Sequence, residues 1–187
     1  MRWDSQPIQT MVIIETPRLL LRQWQTADLD PYAALFANPR VTQHTRPIPR
    51  ERIEAFAESF LRQWHEHSFG PFAAIEKSTG RWVGQIGLNR LDELPRPDNV
   101  EVGFELLPEF WGQGLATEGA RACLRFGFEE VGLERIISVT NPANAPSRRV
   151  LEKAGFIYQG LREYHGHESA WYALDRAAWR ARAEAGS

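Results

Sequence analysis

Between Pro108 and Glu118 the chain reads PEFWGQGLATE: a tryptophan, two glycines flanking a glutamine, then a helix-forming run. The segment before it, VEVGFELL (Val100–Leu107), is strand-like. Strand, Gly-x-Gly, helix is an arrangement that makes an anion site. The first-turn N–H groups of a helix have no partner within it, and the dipole adds about half a positive charge there. Glycines supply positive φ and let a phosphate approach the backbone. Two better-known phosphate motifs fail against the residues. A dinucleotide fingerprint needs a third glycine where Thr117 stands, and a P-loop from Gly114 needs Lys and Ser/Thr where Ala120 and Arg121 stand.

Other side chains near this segment could act on a bound ligand. Strand alternation puts Glu101, Gly103 and Glu105 on one face, where either carboxylate could accept a proton; solvated strand-edge carboxylates are the plainer alternative. Ser147, in Asn144-Ala-Pro-Ser147, is a hydroxyl donor or a helix N-terminal cap. Cys123 lies three residues from Ala120 and four from Gly127 on the apolar side of its helix. A thiol in such surroundings is a poor nucleophile. The five histidines show no metal-ligand spacing, and His165-Gly-His167 reads as a surface turn.

The elements that must position these groups follow from periodicity. Residues 1–10 carry no period and are expected to be a flexible lead-in; 11–187 read as one domain. VIIE and RLLLRQW are strand-like. TADLDPYAALFANP predicts a helix capped by Thr26 and stopped at Asn38-Pro39, with Leu29, Ala33, Phe36 and Ala37 on one face. A second helix is predicted from about Pro49 to His67, with Ile53, Phe56, Phe60, Leu61 and Trp64 as a core-facing stripe. PFAAIEK and WVGQIGLNRL make a hairpin around Gly80. The helix after the glycines runs from about Gly114 to Glu130, with Leu115, Ala120, Cys123, Leu124, Gly127 and Phe128 inward. ERIISVT is a strand. PSRRVLEKAGF is a short helix with Pro146 in its first turn and Gly155 at its C-terminal cap. Two strands (156–164 and 169–174) and an Ala/Arg-rich helix complete an α+β pattern around a mixed sheet.

Composition narrows the function classes. The chain has 187 residues, 43% hydrophobic and 25% charged, enough for one domain with a sizeable core. A net charge of −2 offers nucleic acid no general attraction. No apolar run is long enough to span a bilayer, and the first residues have no signal-peptide core. One cysteine excludes a disulfide within the chain and argues against a Cys-based metal site. These features imply a cytoplasmic protein with no metal, nucleic-acid or membrane partner. Oligomeric state is not legible in the sequence.

WGQGLA resembles the Gln/Arg-x-x-Gly-x-Gly/Ala signature of the GNAT superfamily of N-acetyltransferases, with Gly114 and Ala116 in register and Trp111 replacing the usual first residue. TPRLLLRQW, WVGQIGL, VEVGFELLPEFWGQGLATEG and NPANAPSRRVLEKAGF all resemble the branch containing the ribosomal-protein N-terminal acetyltransferases. The blocks appear in family order over residues 11 to about 180. The resemblance implies the GNAT fold, acetyl-CoA as co-substrate and a primary amine as acceptor. It implies cofactor contacts at Leu106, Leu107, Trp111, Gly112, Gln113, Gly114, Leu115, Ala116 and Thr117. By the same resemblance Asn144 bonds the pantetheine arm and Ser147 faces the sulfur. Glu101, ten residues before Trp111, stands close to where such enzymes keep a strand base, with Glu105 as its competitor. The Tyr that many members use as an acid is Leu151 here. Three readings stay open: acetylation of a protein N-terminal α-amine, acetylation of a small amine, and a non-catalytic acyl-CoA-binding module. The acceptor loops are expected at roughly 40–52 and 92–99.

Overall fold

A computed structural model describes residues 13–45 and 47–185, so the lead-in expected at 1–10 lies outside the described residues. Its strands are β1 (Ile13–Glu15), β2 (Leu19–Arg22), β3 (Pro71–Glu76), β4 (Trp82–Arg90), β5 (Val100–Leu106), β6 (Arg135–Thr140), β7 (Ile157–Tyr164) and β8 (His167–Asp175). Its α-helices are α1 (Leu29–Ala37), α2 (Pro39–Thr42), α3 (Ile53–His67), α4 (Leu115–Arg125), α5 (Ala145–Ala154) and α6 (Arg176–Ala185). One sheet runs in the order β1-β2-β3-β4-β5-β6-β8-β7. Every pairing is antiparallel except β5–β6. This is the mixed α+β architecture expected from the sequence.

Period-two alternation sorts the sheet into two faces. One face carries Leu19, Leu21, Phe72, Ile86, Leu88, Val100, Val102, Ile136 and Tyr172, packed in the main core with Leu115, Ala120, Cys123, Leu124 and Phe128. The inward stripe read for α4 is therefore buried as expected. Leu151 of α5 and Trp179 of α6 close the same core. On the opposite face lie two smaller clusters. In one, α1 and α3 pack through Tyr32, Leu35, Phe36, Ile53, Ala57 and Phe60 onto Trp24. In the other, Ile137, Trp171 and Ala173 are covered by Leu91, Leu94, Val139 and Tyr164. Glu101, Gly103 and Glu105 lie on this second face.

Three local expectations change. Thr26 is not a helix cap: Thr26–Asp28 is a 3₁₀ turn preceded by Gln25, and α1 starts at Leu29. Asp28 is needed elsewhere, because its buried carboxylate takes both Arg22 guanidinium nitrogens at 2.7 and 2.8 Å. Ala37 is exposed, and Tyr32 and Leu35 take the inward positions. Asn38-Pro39 stops α1 as expected, and with Asn38 accepting from the Arg40 N–H the short α2 begins at Pro39. The long helix after the glycines stays α-helical to Arg125 and passes through one π-helical turn at Phe126–Glu130.

Candidate active site

The site begins with what β5 does at its ends. Along β4 it is paired in register from Val100 to Leu106. Against β6 the only paired residues are Glu101 and Ile137. Just beyond, the Ser138 hydroxyl donates to the Val102 carbonyl at 3.0 Å, a side chain standing in for a strand partner. The parallel strands then diverge, and residues 101–106 and 138–141 become the walls of a cleft of about 590 Å³. The N-terminal ends of α4 and α5 meet at this cleft, through Gly112, Gly114–Thr117 and Asn144, Pro146 and Ser147. α2 and residues 43–45 form the far side, and Tyr164 and Ser169 border it from the β7–β8 hairpin.

The glycine loop has the conformation an anion cradle requires. Gly112 and Gly114 have φ of 74° and 80°, in the left-handed region where a side chain is strained. A Cβ on Gly112 would meet no protein atom within 4 Å, so the backbone there is open. No backbone N–H from Gly112 to Thr117 has an acceptor among the described residues. The loop is held from behind. Trp111 Nε1 donates to the Leu106 carbonyl at 2.7 Å, and Arg18 donates to the Gln113 carbonyl at 2.8 Å. Arg18 also pairs with Glu118 at 2.7 Å, and Thr16 donates to the same carboxylate at 2.6 Å. Burial alone would raise the Glu118 carboxyl, yet these donors hold it below the usual carboxylate range. The orphan amides therefore face outward on a fixed base, which is what the pyrophosphate of a CoA thioester requires.

Not every residue expected at this loop lines the cleft. Leu106 does, but the Leu107 side chain packs between the hydrophobic clusters. The Gln113 amide folds back onto the Glu109 carbonyl at 2.8 Å. The two α5 residues divide their work. Asn144 is the N-cap and its Oδ1 accepts the Ser147 backbone N–H at 3.1 Å. Ser147 borders the cleft, so the capping alternative belongs to Asn144 and not to Ser147. Cys123 is buried in the main core and burial pushes its thiol up to about 12, which removes it as a covalent carrier.

On the second face Glu101, Gly103 and Glu105 all border the cleft. Burial first, then the charges of Glu105 and Glu93, push the Glu101 carboxyl up to about 8, although the Val139 N–H donates to it. Burial raises Glu105 to about 7. The Gln85 amide, directly across the sheet, donates to Glu105 at 3.3 Å. The 91–99 loop reaches this end of the cleft. Tyr164 donates to Glu93 at 2.6 Å, and His165 Nε2 lies 3.3 Å from the same carboxylate. Sequence reasoning named the 92–99 loop that holds Glu93 and the blocks that hold Arg18 and Gln85, but gave none of these residues a role and missed Tyr164. Their partners lie elsewhere along the chain, so no local pattern shows the contacts. Among the described residues no group of His, Cys, Asp or Glu could hold a metal ion, and no helix is long and apolar enough to cross a membrane.

Known proteins share this fold. Residues 18–157 match the acetyltransferase (GNAT) domain family. The uncharacterized N-acetyltransferase YoaA of Bacillus subtilis (strain 168) is 33% identical over 156 residues, covering 81% of this chain and 87% of YoaA. A crystal structure of an acetyltransferase from Agrobacterium tumefaciens str. C58 superposes with a TM-score of 0.78 at 27% identity, over 91% of this chain and 98% of that one. RimL, a ribosomal L7/L12 α-N-protein acetyltransferase solved with coenzyme A, shares the fold with a TM-score of 0.74 at 17% identity, over 88% of this chain and 98% of that one. With its orphan-amide cradle and split strands, the chain belongs to the GNAT family of acetyl-CoA-dependent acetyltransferases.

Proposed function

We propose that the protein transfers the acetyl group of acetyl-CoA to a protein N-terminal α-amine, by direct attack in a ternary complex in the cytoplasm. The observation that carries this reading is the Glu101 carboxyl, raised to about 8 on the floor of the cleft. An α-ammonium has a pKa of about 8, so its proton passes to Glu101 almost without cost. A lysine ammonium near 10.4 would lose its proton to the same group uphill. RimL, whose name describes protein α-amine acetylation, supports the same choice.

In this reading the amides of Gly112 and Gly114–Thr117 hold the pyrophosphate and Asn144 bonds the pantetheine with its amide nitrogen. The pantetheine arm enters where β5 and β6 part. Glu101 takes the proton of the attacking amine; the amine nitrogen bonds the thioester carbon as the C–S pair leaves on sulfur. Ser147 donates its hydroxyl hydrogen to that sulfur and takes the second proton of the nitrogen in return, so the products are the N-acetyl amide and the CoA thiol, with Glu101 holding the first proton. No activated nucleophile lines the cleft among the described residues, which favours direct transfer over a covalent acetyl-enzyme.

The test is CoA release with acetyl-CoA and two peptides of equal length. One has a free α-amine and no lysine; the other has a blocked N-terminus and one lysine. Faster release with the first is expected at pH 7.5. Release from the lysine peptide alone overturns the α-amine reading.

A further inference from the structure

Glu101 and Glu105 have no counter-charge in the protein. No Lys, Arg or His among the described residues forms an ion pair with either, and the charges that act on Glu101 are those of two other carboxylates, Glu105 and Glu93. The cations bordering the cleft stand elsewhere. Arg40 lies over the Trp111 ring at 5.2 Å, beside the glycine loop, and Arg149 and Lys153 are on α5. Glu101 and Glu105 are partly buried, and carboxylates drawn out of water are seldom left without a partner. A reacting ammonium satisfies one of the two.

The Glu105 carboxylate is held in place but not neutralised. The Gln85 Nε2 donates to one of its oxygens, and no donor among the described residues bonds the other. A carboxylate oxygen left open on a cleft wall is an acceptor for a multi-proton donor. Lysine ammonium and arginine guanidinium are such donors.

We propose that the acceptor is dicationic: the α-amine reacts at Glu101 while a basic side chain a few residues along the peptide docks on Glu105, which borders the same cleft. This inference rests on the acetyltransferase reading and adds the acceptor's second charge to it. The two carboxylates are four residues apart on one strand face, about 13 Å between α-carbons. An extended peptide covers that span in about four residues, and the reach of a lysine side chain brings positions 2 to 4 into range.

The experiment measures kcat/KM by CoA release for peptides identical except for one lysine moved through positions 2 to 5, all other lysines being norleucine. Linear diamines of four to ten carbons and the matching monoamines are run beside them. In the wild-type protein the best lysine position is expected to exceed the all-norleucine peptide by about tenfold or more, the usual order for a close charge pair in a protected site. In Glu105→Gln that ratio is expected to fall close to one, with acetyl-CoA affinity retained as proof of folding. Equal use of lysine and norleucine peptides by the wild type overturns the inference and leaves the acetyltransferase reading standing. So does a ratio that survives Glu105→Gln, or loss of all turnover in that variant, which would make Glu105 the base. A preference confined to the diamines overturns the peptide as the source of the second charge. No CoA release with any amine overturns both readings together.

Discussion

A carboxylate placed in a water-poor cleft changes the pH behaviour of the whole protein as well as its chemistry. Glu101 is raised to about 8, so its basic form grows in as pH passes that value. If it is the proton acceptor, kcat/KM rises with pH toward a plateau above about 8, and Glu101→Gln lowers turnover by ~10²–10⁴. The acceptor titrates too, but the two effects separate. Across acceptors of different amine pKa the Glu101 limb stays fixed while the amine limb moves. A profile in which every limb follows the amine would remove Glu101 from the role. The same shifts set the sign of stability. A folded-state pKa above the ordinary value near 4.5 means that the fold holds the proton more tightly than the unfolded chain. The stability this supplies is complete below 4.5 and is lost as pH climbs through about 7 for Glu105 and about 8 for Glu101. Glu105→Gln, which cannot ionise, should therefore melt above the wild type at pH 9 and level with it near pH 4. A constant offset at both pH values would mean that Glu105 is not raised.

At the scale of elements, two helix N-termini meet one cleft and do different work. α4 offers unpaired amides, with Gly114 at its N-cap in the left-handed region. Gly114→Asp adds backbone strain and a negative charge at that terminus, so acetyl-CoA affinity measured by calorimetry should fall by about a hundredfold or more. Unchanged affinity in a folded variant would move the pyrophosphate elsewhere. α5 has its cap met by Asn144, through the Ser147 backbone N–H and not its hydroxyl. Ser147→Ala keeps that N–H. Turnover should drop while the melting temperature holds. Asn144→Ala should instead cost about 1 kcal/mol of stability by the loss of the cap. A melting loss in Ser147→Ala with normal turnover would reverse these assignments.

Across the whole molecule, what was legible in the sequence was whatever depends on neighbours along the chain. The strand, the glycines and the amphipathic α4 are local patterns, and the α4 core stripe is buried as its spacing implies. Glu101 and Glu105 share a face because alternation is a property of one strand. What was not legible is pairing between distant segments: Gln85 against Glu105, Tyr164 on Glu93, and Arg18, just before β2, bracing the loop. Thr26 failed as a cap because the buried Arg22–Asp28 pair reorganised the turn around it. The site is thus made by the sheet opening between β5 and β6, and this gives the ligand a mechanical role. In the proposed binding mode, acetyl-CoA held by the amides of α4 and by α5 would span that opening and bridge β5 to β6, which share one paired position. Because it binds only the folded chain, at 100 times its Kd it should add about 2.7 kcal/mol of stability. For a chain of this size that is a rise in melting temperature of roughly 5–10 °C. Amide exchange should slow at Gly112–Thr117 and along both diverging strand ends. In Gly114→Asp both effects should vanish at the same concentration. Protection confined to the loop, with β5 and β6 exchanging as before, would show that the ligand docks on the helix ends without entering the opening.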